Sequence, residues 1–377
     1  MQIGLLRIAS PLAQAALSGY SDGPMRLLAR RFGASYALAE VLIDRFAVEA
    51  QSESFVRRHL RIADADHPIG GQLMGSDPAQ FQFAAKRLVQ AGFDVIDINF
   101  GCPVKTAIGG CRGGYHLGQP EAALEIVARV REVVPPEIPV TVKMRRGIDD
   151  TAESRDRCLS ILAGVFDLGA AAVTLHGRTV EQKYVGPSRW AFLKEAKASF
   201  PNRTLLGSGD LFTAEDCVRM LTETGVDGVS IARGAIGNPW IFASVAALLS
   251  GQPHPAPPRL VEQHELLREH LRLAREVYGD AACVPRLRKH LVKYAKLHPD
   301  HAEVRNALAT ASSVGDIEQL LKTHYAEDRA GVWPENAPVV SLSVGHASDL
   351  PVPCDESGMS DGSPATGLAA TNVRRTL

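Results

Sequence analysis

Short β-rich runs and helical stretches alternate eight times between Pro11 and Arg233, and this alternation leaves very few architectures open. The runs are Pro11 to Leu17, Tyr36 to Leu42, Pro68 to Gly75, Val95 to Phe100, Val140 to Arg146, Ala171 to Gly177, Arg203 to Ser208 and Gly228 to Arg233. Their starts lie about 25 to 45 residues apart, room for one helix in each gap. Pro78 to Ala91, Pro120 to Val133, Ala152 to Leu168 and Ala214 to Thr224 carry apolar residues at spacings of three and four, the period of a helix with one buried face. In the first of these, Phe81, Ala84, Ala85 and Leu88 make the apolar stripe, and Gln82, Lys86 and Gln90 lie opposite, where Phe83 breaks the polar side. Strand then helix, eight times over, predicts an α/β fold, a parallel (β/α)8 TIM barrel rather than a five- or six-stranded doubly wound sheet.

The pattern changes after Trp240. Pro253, Pro255, Pro257 and Pro258 form a stiff connection, and Val261 to Tyr325 has helical periodicity with no strand-like run. From Ala326 the chain turns to Pro, Ser, Gly and Asp with little periodic apolar content. The expected organisation is a barrel over residues 1–245, a small all-α helical domain over 259–325 and a disordered C-terminal tail over 326–377.

Composition narrows the function classes. With 45% hydrophobic and 22% charged residues the chain is not wholly disordered, and no uncharged apolar run is long enough to span a bilayer, so no membrane partner is expected. The N-terminal segment is interrupted by Arg7, Pro11 and Gln14 and makes a poor export signal, so a cytoplasmic location is expected. Cys102, Cys111, Cys158, Cys217, Cys283 and Cys354 form no CxxC pair, which predicts reduced thiols and no metal site. Lys and Arg number 41 against 42 Asp and Glu, so any nucleic-acid binding must come from a local basic face. No obligate protein partner is indicated.

Catalytic residues of such barrels sit where strands end, and here those positions are polar. Gln72 lies in the third run; the fourth reads Asp97-Ile98-Asn99-Phe100-Gly101-Cys102-Pro103; the fifth carries Lys143 and Arg145; the sixth ends His176-Gly177-Arg178. The seventh ends Gly207-Ser208-Gly209-Asp210 and the eighth Ala232-Arg233-Gly234. A lysine inside a β run points into the barrel or at the helices, and a buried ammonium needs an anion or an acceptor. Lys143 therefore faces either a ligand or a carboxylate such as Asp97, and His176 is either a site residue or a core histidine bonded to backbone.

Glycines closing the last two runs let backbone N–H groups approach a phosphate, with Arg233 as a forked donor; alternatively they serve tight turns. No GxGxxG lies between a strand and a helix, so a dinucleotide fingerprint is missing. Cys102 precedes a loop containing Gly109, Gly110, Gly113 and Gly114 that can move over the barrel mouth. There it could be a nucleophile, a proton donor or a small apolar residue.

Four ordered motifs go further: Asp97-Ile98-Asn99-Phe100-Gly101-Cys102-Pro103-Val104-Lys105, Val142-Lys143-Met144-Arg145, His176-Gly177-Arg178-Thr179-Val180-Glu181-Gln182-Lys183-Tyr184, and Arg233-Gly234-Ala235-Ile236-Gly237-Asn238-Pro239-Trp240. With them the chain, from about Pro11 to Tyr325, resembles the flavin-dependent tRNA-dihydrouridine synthases. The resemblance implies FMN at the barrel mouth, with Ala16, Leu17 and Ser18 beside it, Gln72 and Lys143 facing its ring and His176 nearby. Ser208, Gly209, Asp210, Ala232 and Arg233 would surround its ribityl chain and phosphate, and Cys102 would be the general acid. The implied reaction is ping-pong: NADPH reduces the flavin and leaves, then a tRNA uridine accepts hydride at C6 and a proton at C5.

The chain departs from the family pattern at Ala16-Leu17, where Pro-Met is usual, at Ser208, usually Asn, and at Ala232, usually Gly. These changes bear on flavin affinity and substrate choice. In the helical domain Arg286, Arg288, Lys289, Lys293 and Lys296 lie in a stretch with no acidic residue between Ala281 and Pro299. Positions 286, 289, 293 and 296 share one helix face, a phosphate-contacting stripe or a solvated surface. The resemblance favours the stripe, because that domain holds tRNA in the family. Two other functions compete: an FMN barrel acting on a small molecule, and a flavin-less RNA-binding homologue.

Overall fold

The computed structural model describes residues 1–49 and 52–334. A two-stranded antiparallel hairpin opens the chain, β1 (Gln2–Ile3) and β2 (Leu6–Arg7). Eight parallel strands then close a barrel: β3 (Leu12–Gln14), β4 (Tyr36–Leu38), β6 (Ile69–Met74), β7 (Val95–Phe100), β8 (Val140–Arg145), β9 (Ala172–His176), β10 (Thr204–Ser208) and β11 (Gly228–Ile231). Closure is made by β4, which pairs with β3 on one side and with β6 on the other. A short extra strand, β5 (Leu42–Ile43), lies beside the C-terminal end of β6.

Each of the eight expected runs holds one barrel strand, although most strands are shorter than expected. The first, expected over Pro11 to Leu17, is only Leu12–Gln14, and the second stops at Leu38. In both, the residues beyond the strand leave the ladder to line the barrel mouth or to form β5, a choice that local β propensity does not register.

Around the barrel pack α1 (Gly23–Arg31), α2 (Asp44–Glu49), α3 (Glu53–Phe55), α4 (Pro78–Gln90), α5 (Lys105–Gly109), α6 (Pro120–Val133), α7 (Ala152–Asp167), α8 (Trp190–Ser199), α9 (Ala214–Thr224) and α10 (Trp240–Leu249). The expected stripe of α4 is the buried face: Phe81, Ala84, Ala85 and Leu88 are excluded from solvent, and Phe83 is exposed. Prolines at the first turns of α4 and α6 fit helix starts, where the missing N–H costs nothing.

Inside the barrel the period of two sorts residues into layers. Ile3 and Ile8 from the hairpin region, with Ala13, Tyr36, Val95, Ala172 and Leu206, form an apolar plug. Toward the C-terminal ends of the strands the same inward positions become polar: Gln72, Asp97, Asn99, Thr141, Lys143, Thr174, His176 and Ser208. A dry floor and a polar mouth follow from one alternation.

The helical part comprises α11 (Leu260–Tyr294), α12 (His301–Thr310) and α13 (Val314–His324). Gly279, at φ 72° and ψ 164°, breaks α11 into two helices in sequence, a conformation costly for any residue with a Cβ. The barrel's last helix runs past the expected boundary at 245, and the coil between Leu249 and Leu260 carries the prolines.

Part of the expected tail is structured. Arg259 pairs with Asp328, Arg329 with Asp300, and Trp333 stacks on His254 with its Nε1 donating to the Pro255 carbonyl. Residues 326–334 thus strap the Pro-rich connection to the helices, contacts between segments far apart in sequence that local composition does not show. Positions 335–377, Cys354 included, lie outside the described residues. No disulfide joins the described cysteines.

Candidate active site

The strands of the barrel deliver their polar ends to one cavity of about 310 Å³ at the C-terminal mouth. Every residue that the resemblance assigned to the flavin lines it: Ala16, Leu17 and Ser18 after β3; Gln72, Lys143 and His176 from β6, β8 and β9; Ser208, Gly209 and Asp210 after β10; Ala232 and Arg233 after β11. Cys102 joins them from the loop after β7, and Lys293 and Lys296 reach the same cavity from the helical part.

A buried polar chain holds the inner wall. Thr141 Oγ1 donates to Asp97 Oδ1 at 2.5 Å, and Gln72 Nε2 donates to the other carboxylate oxygen at 2.7 Å. Asn99 Nδ2 donates to Gln72 Oε1 at 2.8 Å, while Asn99 Oδ1 accepts the backbone N–H groups of Gly101 and Cys102 at 2.9 and 3.0 Å. The half-buried Cys102 is therefore placed by strand residues two and more positions away. The register makes the chain possible: Gln72 lies beside Asp97, and Asn99 beside Lys143.

Lys143 points into the barrel. Among the described residues it makes no ion pair with Asp97, whose two oxygens accept from Gln72 and Thr141. Burial, then the neighbouring Arg145 guanidinium, lower the Lys143 ammonium to about 8. A cation buried beside a cavity is suited to an anionic or electron-rich ligand. His176 is buried and pushed well below its usual range, first by burial and then by Lys143, Arg145, Arg178 and Arg233, so it is a neutral imidazole.

The end of the cavity at Gly209 is built from loop backbone. Arg178 donates to both oxygens of Asp210, at 2.6 and 2.8 Å, and the Ser188 N–H binds the same carboxylate. These bonds hold Asp210 in a left-handed conformation, φ 57°, beside the cavity. Among the described residues no acceptor lies within reach of the Gly209 and Asp210 N–H groups. At Gly209 a Cβ would sit 2.5 Å from Ser188 Oγ and 2.6 Å from His176 Cδ2. Arg233 lies over Tyr184 and Phe212, its guanidinium 5.1 and 4.9 Å from their ring centres.

Four further contributors had no assigned role in the sequence, although Asn99, Arg145 and Tyr184 stand in its motifs. Asn99 and Arg145 follow Asp97 and Lys143 by two and so share their inward face, a signal that was available. Arg145 donates to the carbonyls of Gly101, Thr179 and Lys183 at 2.7 to 2.8 Å, tying the Cys102 loop to the loop that bears Tyr184. Tyr184 lies in a loop with no periodicity to announce it. Ser230, on β11, lines the cavity, and its buried Oγ has no partner among the described residues. Ser208, the Asn replacement, turns its hydroxyl to the Ser230 carbonyl at 3.2 Å.

The orphaned Ser230 hydroxyl, the unpaired Lys143 and the glycine cradle at 209 fit a flavin mononucleotide: acceptors and donors for a polyol, a cation for an electron-rich ring and amides for a phosphate. The flavin-free protein then has a testable property. The folded protein releases the Lys143 proton near 8 and the unfolded chain near 10.5, so the unfolded state binds more protons in between and stability rises with pH over that window. Lys143→Met is expected to raise the melting temperature of the flavin-free protein at pH 7 by a few degrees and to flatten the rise above pH 8. A lower melting temperature at pH 7 would contradict a strained cation.

The basic stripe divides. Lys293 and Lys296 face the cavity, whereas Lys289 lies half-buried with its ammonium 5.1 Å from the centre of the Tyr20 ring, and Arg286 lies over Tyr278 at 4.9 Å. Arg288, also half-buried, has an Nε with no partner among the described residues. The shared face points at the barrel, a direction set by how α11 packs on α1 and the loop after β3.

Comparison with known proteins bears on the family and the fold. A family model described as "Dihydrouridine synthase (Dus)" matches residues 13–329. A probable tRNA-dihydrouridine synthase of Mycobacterium leprae is 36% identical over 324 residues, 84% of this chain and 80% of that protein. tRNA-dihydrouridine synthase B of Xanthomonas axonopodis pv. citri is 34% identical over 334 residues, 89% of this chain and 98% of that protein. Among solved structures, histamine dehydrogenase from Rhizobium sp. 4-9 superposes with a TM-score of 0.53 at 15% identity, covering 72% of this chain and 50% of that one. An old yellow enzyme homologue from Zymomonas mobilis gives 0.50 at 15% identity, covering 68% and 93%. These two similarities concern the fold.

Proposed function

The chain belongs to the dihydrouridine synthase family, and from that premise we propose that it reduces uridines of tRNA to 5,6-dihydrouridine, with FMN as cofactor, NADPH as hydride donor and Cys102 as general acid. The observation that carries this reading is the convergence of Cys102, the unpaired Lys143, the glycine cradle at 209 and the helical Lys293 and Lys296 on one cavity. When bound, FMN supplies the hydride for C6 of the uracil ring.

The protein's own residues do the rest. Lys143 offers positive charge where the reduced cofactor and the reacting uracil gain electron density, in a site dry enough for that charge to count. His176, neutral among four cations, serves as a hydrogen-bonding group without adding charge. Asn99 fixes the Gly101-Cys102 backbone, so that Cys102 protonates C5 from a defined position. The target base has to leave its stack to reach so recessed a site.

RNA fits better than a small molecule because Lys293 and Lys296 stand at the mouth on a helix outside the barrel, where a polyanion passes over the pocket. Charge reversal at Lys293 is expected to weaken tRNA binding about tenfold at low salt and to lessen its salt dependence, leaving NADPH oxidation intact. Unchanged affinity in a filter-binding titration would remove Lys293 from the interface. The overall reading is tested by purifying the protein and mapping dihydrouridine in RNA from cells lacking it. A yellow protein and lost tRNA sites are expected, whereas a colourless protein with an unchanged map would overturn the proposal.

A further inference from the structure

The loop after β3 carries Ala16, Leu17, Ser18 and Tyr20 into the cofactor cavity, and it is internally stiff. The Leu17 N–H donates to Ser21 Oγ at 2.8 Å, and the N–H groups of Tyr20 and Ser21 both return to the Leu17 carbonyl. It ends at Asp22, whose Oδ1 caps α1 by accepting the Met25 N–H at 3.1 Å. A push on Asp22 or Tyr20 is therefore passed to Leu17 and Ser18.

The helical part grips this loop. Tyr278, the last residue before the break at Gly279, donates its hydroxyl to Asp22 Oδ2 at 2.7 Å, across 256 residues of sequence. Beyond the break, the His290 ring meets Tyr20 edge-on at 5.1 Å and His270 at 4.8 Å, and His270 Nδ1 bonds the Tyr294 hydroxyl at 3.0 Å. Asp22, His270, His290 and Tyr294 are all buried. The grip thus joins both halves of α11 to each other and to one wall of the cavity.

We propose that Asp22, Tyr278 and His290 form a coupling joint, positioning residues through which the helices that present Lys289, Lys293 and Lys296 set the place of the Leu17–Tyr20 wall. RNA held on α11 is thereby brought into register with the pocket. This inference rests on the proposed tRNA activity. His270 is lowered to about 4 by burial and His290 well below its usual range, so both rings are neutral.

The same three residues, Asp22, His270 and His290, offer ligand atoms within 4.8 Å of one another, which raises a metal centre as the alternative. The joint is favoured because both Asp22 oxygens already accept hydrogen bonds, from Met25 and Tyr278.

The test uses the flavin-loaded full chain with Tyr278→Phe and His290→Phe, singly and together, which keep ring volume. Reduction of the bound flavin by NADPH, followed at the flavin absorbance band without RNA, is expected to stay within about twofold of the unaltered protein, because the loop's own Leu17–Ser21 hydrogen bonds, which shape the flavin wall, do not involve either residue. The KM for tRNA is expected to rise about tenfold in the double variant with kcat nearly constant, the size of losing one hydrogen bond to a charged acceptor and its packing. A tRNA KM within twofold of the original overturns the joint, as does an equal loss in both half-reactions, which marks a merely structural role. A stoichiometric metal ion in the purified protein, lost on His290→Phe, overturns it in favour of a metal centre. Failure of the tRNA reading itself is recognised separately, since the unaltered protein would then form no dihydrouridine.

Discussion

Cys102→Ala is expected to keep its flavin and its reduction by NADPH while dihydrouridine formation on tRNA falls by about 10²- to 10⁴-fold, the range a positioned general acid contributes. Cys102 lines the cavity but takes no part in the Gln72–Asp97–Thr141 chain beneath it. Its backbone N–H, not its side chain, is what Asn99 holds, so the alanine backbone settles in the same place. The two half-reactions separate this outcome from unfolding: flavin reduction is followed without RNA, and the oxidative step by mixing pre-reduced protein with tRNA. Wild-type oxidation of the reduced variant by tRNA would remove Cys102 from the chemistry.

Gly209→Ala is expected to yield a folded protein with less than about a tenth of the normal flavin content. Two costs combine at this position. The backbone sits at φ 108°, where a residue with a Cβ is strained by about 1–3 kcal/mol, and the new methyl would overlap Ser188 Oγ and the His176 ring. Relief requires the Gly209–Asp210 backbone to move away from Ser188 and His176, taking its two N–H groups with it. Gly225→Ala is the control: it has φ 74° at the end of α9, and the nearest atom to its Cβ is Lys197 Cγ at 4.0 Å, far from the cavity. It should cost stability and keep its colour. A fully yellow Gly209→Ala protein would show that the backbone at 209 does not hold the phosphate.

Much of the site was legible because a barrel strand shows its inward face at every second residue. Asp97 and Asn99, and Lys143 and Arg145, follow from that rule once the runs are recognised, and Gly209 marks a loop that borders the cavity. Tyr184 and Ser230 were not legible. The first sits in a loop without periodicity, and the second is one ordinary serine in an apolar run whose orphaned hydroxyl matters only because its neighbours leave it without a partner. The basic stripe was half legible: spacing put four cations on one helix face, but not which way that face turns.

By itself the sequence determined the eightfold strand and helix alternation, hence the barrel, and the polar residues that end its strands, because these depend on periodicities within a few residues. Only the tertiary structure decided that Asp97 would be spent on Gln72 and Thr141 and leave Lys143 unpaired, that α11 would turn Lys289 onto Tyr20, and that Tyr278 would meet Asp22. Those contacts join segments 25 to 269 residues apart, read from residue numbers 72 and 97 and from 20 and 289. Which of many possible partners a buried polar group finds depends on closure of the whole barrel and on where α11 docks against it.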